Sequence, residues 1–145
     1  MKGRALLLSI KPRFADAIFA KTKRVELRRV KPKVGPGDLV LVYVSAPRST
    51  LEGAFEVERV FSETPAKLWQ HVQRQSGVTK AEFDTYFSGR DIAYGIVIRR
   101  VWMLAPVSLA VMRKVRIRPP QSYQYLEPIQ TERLVANGSR RPGSR

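Results

Sequence analysis

Two short runs constrain the fold of this chain more than anything else in it. Ala5-Leu6-Leu7-Leu8-Ser9-Ile10 and Leu39-Val40-Leu41-Val42-Tyr43-Val44 carry an apolar residue at nearly every position. Successive side chains of a strand point to opposite faces of its sheet. A strand with no polar face must therefore be covered on both sides, which places it inside a sheet and not at a solvated edge. Turn-forming residues bound both runs: Lys11-Pro12 follows the first, and Gly35-Pro36-Gly37-Asp38 and Ser45-Ala46-Pro47-Arg48 flank the second. Any fold for this chain has to bury these two strands first.

The remaining segments supply what surrounds them. Pro12 suits the first position of a helix, where a missing N–H costs nothing. Phe14 and Ile18, with Ala15 and Phe19, give that helix one apolar face, and it is predicted to end near Lys21. Arg24–Arg28 alternates, with Val25 and Leu27 on one side and Arg24, Glu26 and Arg28 on the other. Gly53–Phe61 reads as a further strand. Thr64-Pro65 caps a helix carrying Leu68, Trp69 and Val72. Thr79-Lys80-Ala81-Glu82 fits a capping box ahead of Phe83, Tyr86 and Phe87, with Gly89 as the stop. Ile92–Trp102, rich in β-branched and aromatic residues, is the longest strand candidate. Pro106 and Ser108 lead into a short helical stretch at Leu109–Arg113, and Tyr123–Leu126 is a last strand. Several strands with short helices inserted between them predict an α+β chain built on a small mixed sheet or barrel. A folded domain over residues 1–130 is expected, followed by a basic, disordered tail over 131–145, where apolar residues are scarce.

Charge then narrows the function. Among 145 residues, 27 are Lys or Arg and 12 are Asp or Glu, a formal net charge of +15. An excess of this size calls for a polyanionic partner. An anionic membrane surface would favour a basic amphipathic helix, and none is found. Nor does any stretch approach the ~20 apolar residues of a membrane span. Nucleic acid is therefore the predicted partner, and no membrane contact is expected. There is no cysteine and one histidine, His71, so disulfides, thiolate metal sites and histidine-rich metal sites are excluded. No cofactor or metal is expected, and the setting is read as cytoplasmic and the chain as a monomer with no identified protein partner.

The densest chemistry lies in Lys21-Thr22-Lys23-Arg24-Val25-Glu26-Leu27-Arg28-Arg29. The functional reading is a phosphate-gripping strand in which Glu26 holds Lys23 or Arg28 in place or meets a base edge. The competing reading is a solvated charged face whose ion pairs contribute little. The aromatic residues divide in the same way. Trp69, Trp102, Phe83, Tyr86 and Phe87 could stack on bases but are expected in the core, whereas Tyr123 and Tyr125, close to Arg116 and Arg118, are the better candidates for stacking.

These residues also carry a resemblance. Leu7-Leu8-Ser9-Ile10-Lys11-Pro12, then Phe14-Ala15 and Ile18, then Lys23, Glu26 and Arg28, resemble the signature of the ASCH domain. That family belongs to the PUA-like superfamily of small β-barrels. Gly37-Asp38, Ser45, Gly53-x-Phe55-x-Val57 and Pro119-Pro120-Gln121-Ser122-Tyr123 extend the likeness from about Arg4 to Leu126. The resemblance implies a barrel with a cleft beside the first helix, lined by Lys23, Glu26 and Arg28 and taking RNA or a nucleotide within it. By the same analogy Ser9, Lys11, Ser45 and Arg48 converge there from strand ends. Lys11, Lys23, Arg28 and Arg29 would contact phosphate, and Tyr123 would lie nearby.

The sequence departs from the family pattern twice. The glycine expected after the first helix is Lys21. Position 26, where the amidohydrolase branch acting on acetylcytidine has a threonine nucleophile, is Glu26, so that amidase activity is not expected. A binding protein is the first reading. Two alternatives stay open: a ribonuclease or nucleotide-modifying hydrolase, in which Lys23 and Glu26 would act, and a transcription-regulatory interaction module.

Overall fold

The computed structural model describes residues 5–120 and 122–139. In chain order its elements are β1 (Ala5–Ile10), α1 (Pro12–Phe19), β2 (Val25–Arg28), β3 (Leu39–Val44), β4 (Thr50–Glu63), α2 (Pro65–Val72), α3 (Lys80–Tyr86), β5 (Ala93–Ser108), α4 (Leu109–Lys114), β6 (Tyr123–Leu126) and α5 (Pro128–Ser139). The six strands form one sheet in the order β2-β5-β4-β3-β1-β6. Only β1 and β3 run parallel; the other pairs are antiparallel. The sheet curls into a half-barrel of the PUA-like α+β class.

Burial of β1 and β3 explains the two apolar runs. Leu6, Leu8, Ile10, Val40, Val42 and Val44 face one side, where Ala15 and Ile18 of α1 cover them together with Phe55 and Ile96. Leu7, Leu41 and Tyr43 face the other, against Met112 of α4, Ile117 and Leu134 of α5. A third cluster joins Val25 and Leu27 of β2 to Leu68 and Val72 of α2 and Phe83 and Phe87 of α3. Gly53 permits the tight seating of α1: a Cβ there would lie 2.5 Å from the Phe19 ring and 2.7 Å from the Trp102 carbonyl oxygen.

Three sequence expectations are revised. β4 and β5 are longer than their patterns predicted, because they pair with each other antiparallel from Thr50 opposite Ser108 to Glu63 opposite Ala93. β5 passes through Pro106 at a register shift between Leu51 and Gly53 of its partner, where no ladder N–H is required of the proline. Residues 131–139, expected to be disordered, belong to α5; Thr131 is buried and Leu134 is fully so. Two inward positions one turn apart suffice to dock the helix, but they are too few for a periodic signal. The arginines at 140, 141 and 145 lie outside the described residues. Trp102, expected in the core, is 40% exposed.

The half-barrel has two edges, β2 and β6, and polar contacts tie them together. Arg28 Nη2, at the end of β2, donates to Ser122 Oγ at 2.5 Å. The backbone N–H of Lys33 donates to Tyr125 Oη at 2.6 Å. These links close one end of the sheet where no ladder could.

Candidate nucleic-acid interface

The first helix ends in a way that sets up the site. The N–H of Lys21 donates to Ile18 O and that of Thr22 to Ala17 O. This is the Schellman arrangement, with Lys21 at the left-handed position (φ 66°) where the family pattern has glycine. The chain turns through it and delivers Lys23 directly beneath α1.

Lys23 is 3% exposed and Glu26 6%. Lys23 Nζ lies 3.8 Å from Glu26 Oε1, donates to Ser76 O, and sits 5.1 Å from the centre of the Phe14 ring. Gly77, left-handed at φ 71°, packs against the Lys23 stem, and a Cβ there would come within 3.1 Å of it. Burial pushes the Lys23 pKa below its ordinary value, with the neighbouring Glu26 opposing that shift. The other oxygen of Glu26 accepts from Arg28 Nη1 at 3.2 Å. Arg28 therefore has one nitrogen on Glu26 and another on Ser122. Burial requires such pairing, since an isolated charge in the interior is too costly to retain.

This floor opens into a cleft of about 650 Å³ between α1 and α3. Ser9 and Lys11 line one side, Lys23, Glu26 and Arg28 the base, and Glu82, Thr85 and Tyr86 of α3 the far wall. Arg13 and Glu82 pair across it at 2.5 Å. Hydrogen bonds from the Thr79 backbone and then Arg13 hold the Glu82 carboxyl below the usual range, so α3 is capped and clasped by the same group. Tyr86 Oη donates to Leu27 O at 3.2 Å, and the Arg29 guanidinium stacks 4.6 Å above the Tyr86 ring. The Lys11 side chain has no ion pair among the described residues.

Of the predicted site residues, Ser9, Lys11, Lys23, Glu26 and Arg28 line this cleft together, and Arg29 reaches its rim through Tyr86. Ser45 does not line it: it is half-buried, and its N–H is bonded to Ile10 O. Arg48 also points elsewhere. It pairs with Asp16 at 2.7 Å and with Glu52, which leaves its charge neutralised on the flank of α1. Tyr123 is exposed on β6, edge-on to Tyr125 at 5.8 Å, and follows Ser122, which meets Arg28. Arg13, Glu82 and Thr85 were not among the predicted site residues, and Tyr86, expected in the core, lines the cleft as well. The capping box located Glu82 on a helix start, but nothing local shows that α3 stands opposite α1.

Half-barrel, buried Lys–Glu–Arg strand and cleft beside α1 define a PUA-like domain of the type the sequence resembled. Residues 8–104 match the ASCH domain, and the chain belongs to that family. It is 26% identical over 132 residues to an ASCH domain-containing ribonuclease from Zymomonas mobilis, covering 90% of this chain and 89% of that protein. The crystal structure of ASCH from Zymomonas mobilis superposes with a TM-score of 0.86 at 26% identity, over 91% of this chain and 94% of that one. The large ribosomal subunit protein uL22 of Ureaplasma parvum is 25% identical over 123 residues, covering 84% of this chain but 39% of that protein. The N-terminal domain of Staphylothermus marinus McrB shares the fold, with a TM-score of 0.59 at 12% identity over 92% of this chain and 94% of that domain.

Proposed function

We propose that this protein binds RNA and takes one nucleotide of the strand into the cleft between α1 and α3. The observation that carries the reading is the fixed Glu26–Arg28 pair on the cleft floor: a carboxylate and a guanidinium, both held by partners, both lining the cavity. A held guanidinium suits a phosphate oxygen, and a held carboxylate suits the donor edge of a base. Lys11, at the start of α1, adds a second phosphate contact, and the Arg29–Tyr86 stack adds a planar surface at the rim. The charge of +15 supplies general affinity for the backbone.

A ribonuclease reading also has specific support. The Zymomonas relative carries that name, and burial brings the Lys23 amine closer to proton exchange at neutral pH. Cleavage would proceed with the ribose 2′-oxygen bonding to the adjacent phosphorus as its proton passes to Glu26. The P–O5′ bond then breaks, the 5′-oxygen takes a proton from Lys23, and a 2′,3′-cyclic phosphate remains.

One experiment tests both readings. Labelled short RNAs are titrated by fluorescence anisotropy over a salt series, and the same samples are run on gels. Arg28→Ala is expected to weaken binding about tenfold, the scale of one charge-assisted contact. Affinity that survives both Arg28→Ala and Lys11→Ala would remove the cleft from the account. Cyclic-phosphate products that vanish in Glu26→Gln would establish the nuclease; intact RNA throughout would leave a binder.

A further inference from the structure

A second concavity, about 600 Å³, lies on the other side of Lys23. Its walls are the C-terminal turn of α1 and the middle of β5, and it presents Lys21, Arg24, Arg99, Arg100 and Trp102. Lys23 lines both cavities, so the groove adjoins the cleft through one buried side chain. We infer that this groove is a single-stranded RNA track, gripping the phosphates of nucleotides that flank the one in the cleft and stacking a base on Trp102. The inference rests on the cleft reading for the direction of the strand, but the groove has evidence of its own.

Three features support it. First, a register shift between Glu56 and Val57 of β4 disturbs the alternation of β5 opposite them. Arg99 and Arg100, though consecutive, are therefore both exposed. Both bond to Glu56, Arg99 Nη1 at 2.9 Å and Arg100 Nε at 2.8 Å. One carboxylate thus orients two guanidiniums and leaves a net positive fork. Second, Lys21 and Arg24 have no carboxylate partner among the described residues. They face water at the C-terminal end of α1, and Lys21 holds a left-handed backbone that glycine would adopt more cheaply. Third, Trp102 is 40% exposed beside these cations, with its backbone fixed where Phe19 crosses Gly53. A flat aromatic face among exposed cations matches the stacking platform and charged groove by which single strands are held without base readout. Four exposed cations, Lys21, Arg24, Arg99 and Arg100, against the single carboxylate of Glu56 favour a polyanion as the occupant.

The test compares a mononucleotide with single-stranded RNAs of increasing length, by anisotropy and by quenching of intrinsic fluorescence. The variants are Trp102→Ala, Trp102→Phe and Lys21→Ala with Arg24→Ala. The longer strands are expected to gain affinity over the mononucleotide. Trp102→Ala should weaken the long strand roughly tenfold, the scale of one stacked base, and leave mononucleotide binding unchanged. Trp102→Phe should keep most of the affinity and lose the quenching. The double variant should lower the slope of log affinity against log salt by about 1.4, at ~0.7 for each phosphate no longer neutralised. All three sites are exposed, so unchanged melting curves serve as the folding control. If the groove variants bind long RNA as wild type does while Arg28→Ala weakens it, the groove is refuted and the cleft stands. If the groove variants lose affinity and the cleft variants do not, the track stands and the cleft reading falls. A wild type that binds no RNA of any length overturns both.

Discussion

The cleft and the groove lie on two sides of Lys23 and are both basic, yet their charges are held in opposite ways. In the cleft, Lys23 and Glu26 are buried and Arg28 nearly so, and each contacts at least two fixed groups. In the groove, Lys21 and Arg24 stand in solvent, and the side chains of Arg99 and Arg100 are 45% and 74% exposed. The difference teaches that burial demands partnership, whereas exposure only permits it, as the pairing of Arg99 and Arg100 with Glu56 shows. A charge taken out of water must be answered by oriented dipoles or counter-charge, and that requirement also fixes its geometry. An exposed charge needs no partner, adds little to stability and acts in numbers. On the proposed reading, the cleft supplies fit and the groove supplies salt-sensitive grip.

The sharpest way to break this contrast is to remove one carboxylate from each region. Glu26→Ala strands Lys23 as a buried charge and releases Arg28, so a loss of about 3 kcal/mol is expected. For a domain of this length that is a fall in Tm of roughly 10 °C. Glu56→Ala frees two exposed arginines and should lower the Tm far less than Glu26→Ala does. Thermal melts of the two variants under the same buffer decide the matter. Equal losses would mean that burial is not what separates the regions.

What the sequence revealed follows the same division. The inner strands were legible because burial on both faces writes an unbroken apolar run, and α1 because Phe14, Ala15, Ile18 and Phe19 repeat at helical spacing. Lys23, Glu26 and Arg28 were legible through a family likeness; spacing alone left them open to a solvated reading. The far wall of the cleft was not legible, since Glu82, Thr85 and Tyr86 reach it by the packing of α3 on β2, a contact across more than fifty residues. The groove was hidden for another reason. Trp102 lies in a strand that reads as buried, and the register shift that turns Arg99 and Arg100 outward together has no local sequence mark. Arg48 was placed with the cleft because it follows a strand end as the cleft-lining residues do, while Asp16, thirty-two residues away, becomes its partner only in the folded chain.

A smaller effect probes how the cleft fixes Lys23. Gly77→Ala places a methyl group against the Lys23 stem and forces a non-glycine residue into a left-handed backbone. A loss of about 1–2 kcal/mol is expected from the backbone alone. Because the lysine must shift, mononucleotide affinity should fall with it, whereas the salt dependence of long-strand binding should hardly change. Gly35→Ala is the control: its added methyl meets open space, so stability should hold or rise slightly and binding should not respond. Loss of stability with full mononucleotide affinity would show that the position of Lys23 is immaterial to the cleft.

Lys21→Gly gives the smallest effect, and the one in which the two properties move in opposite directions. The left-handed lysine is unfavourable by ~1 kcal/mol relative to an unstrained residue, and part of the gain from glycine is lost to its greater freedom in the unfolded chain. A net stabilisation of about 0.5 kcal/mol is therefore expected, read as a slight rise in Tm. The same change removes one exposed cation from the groove, so affinity for long single strands should drop a few-fold and the salt slope should decline by ~0.7. Lys21→Asn separates the causes, because asparagine tolerates the left-handed region and also lacks the charge; it should match glycine in binding while gaining less in stability. A stabilised Lys21→Gly that still binds long RNA at full strength would make Lys21 an incidental strain at a helix end. A stabilised variant that binds more weakly would show why a lysine stands where the family has glycine: the groove uses its charge, and the helix end tolerates the strain.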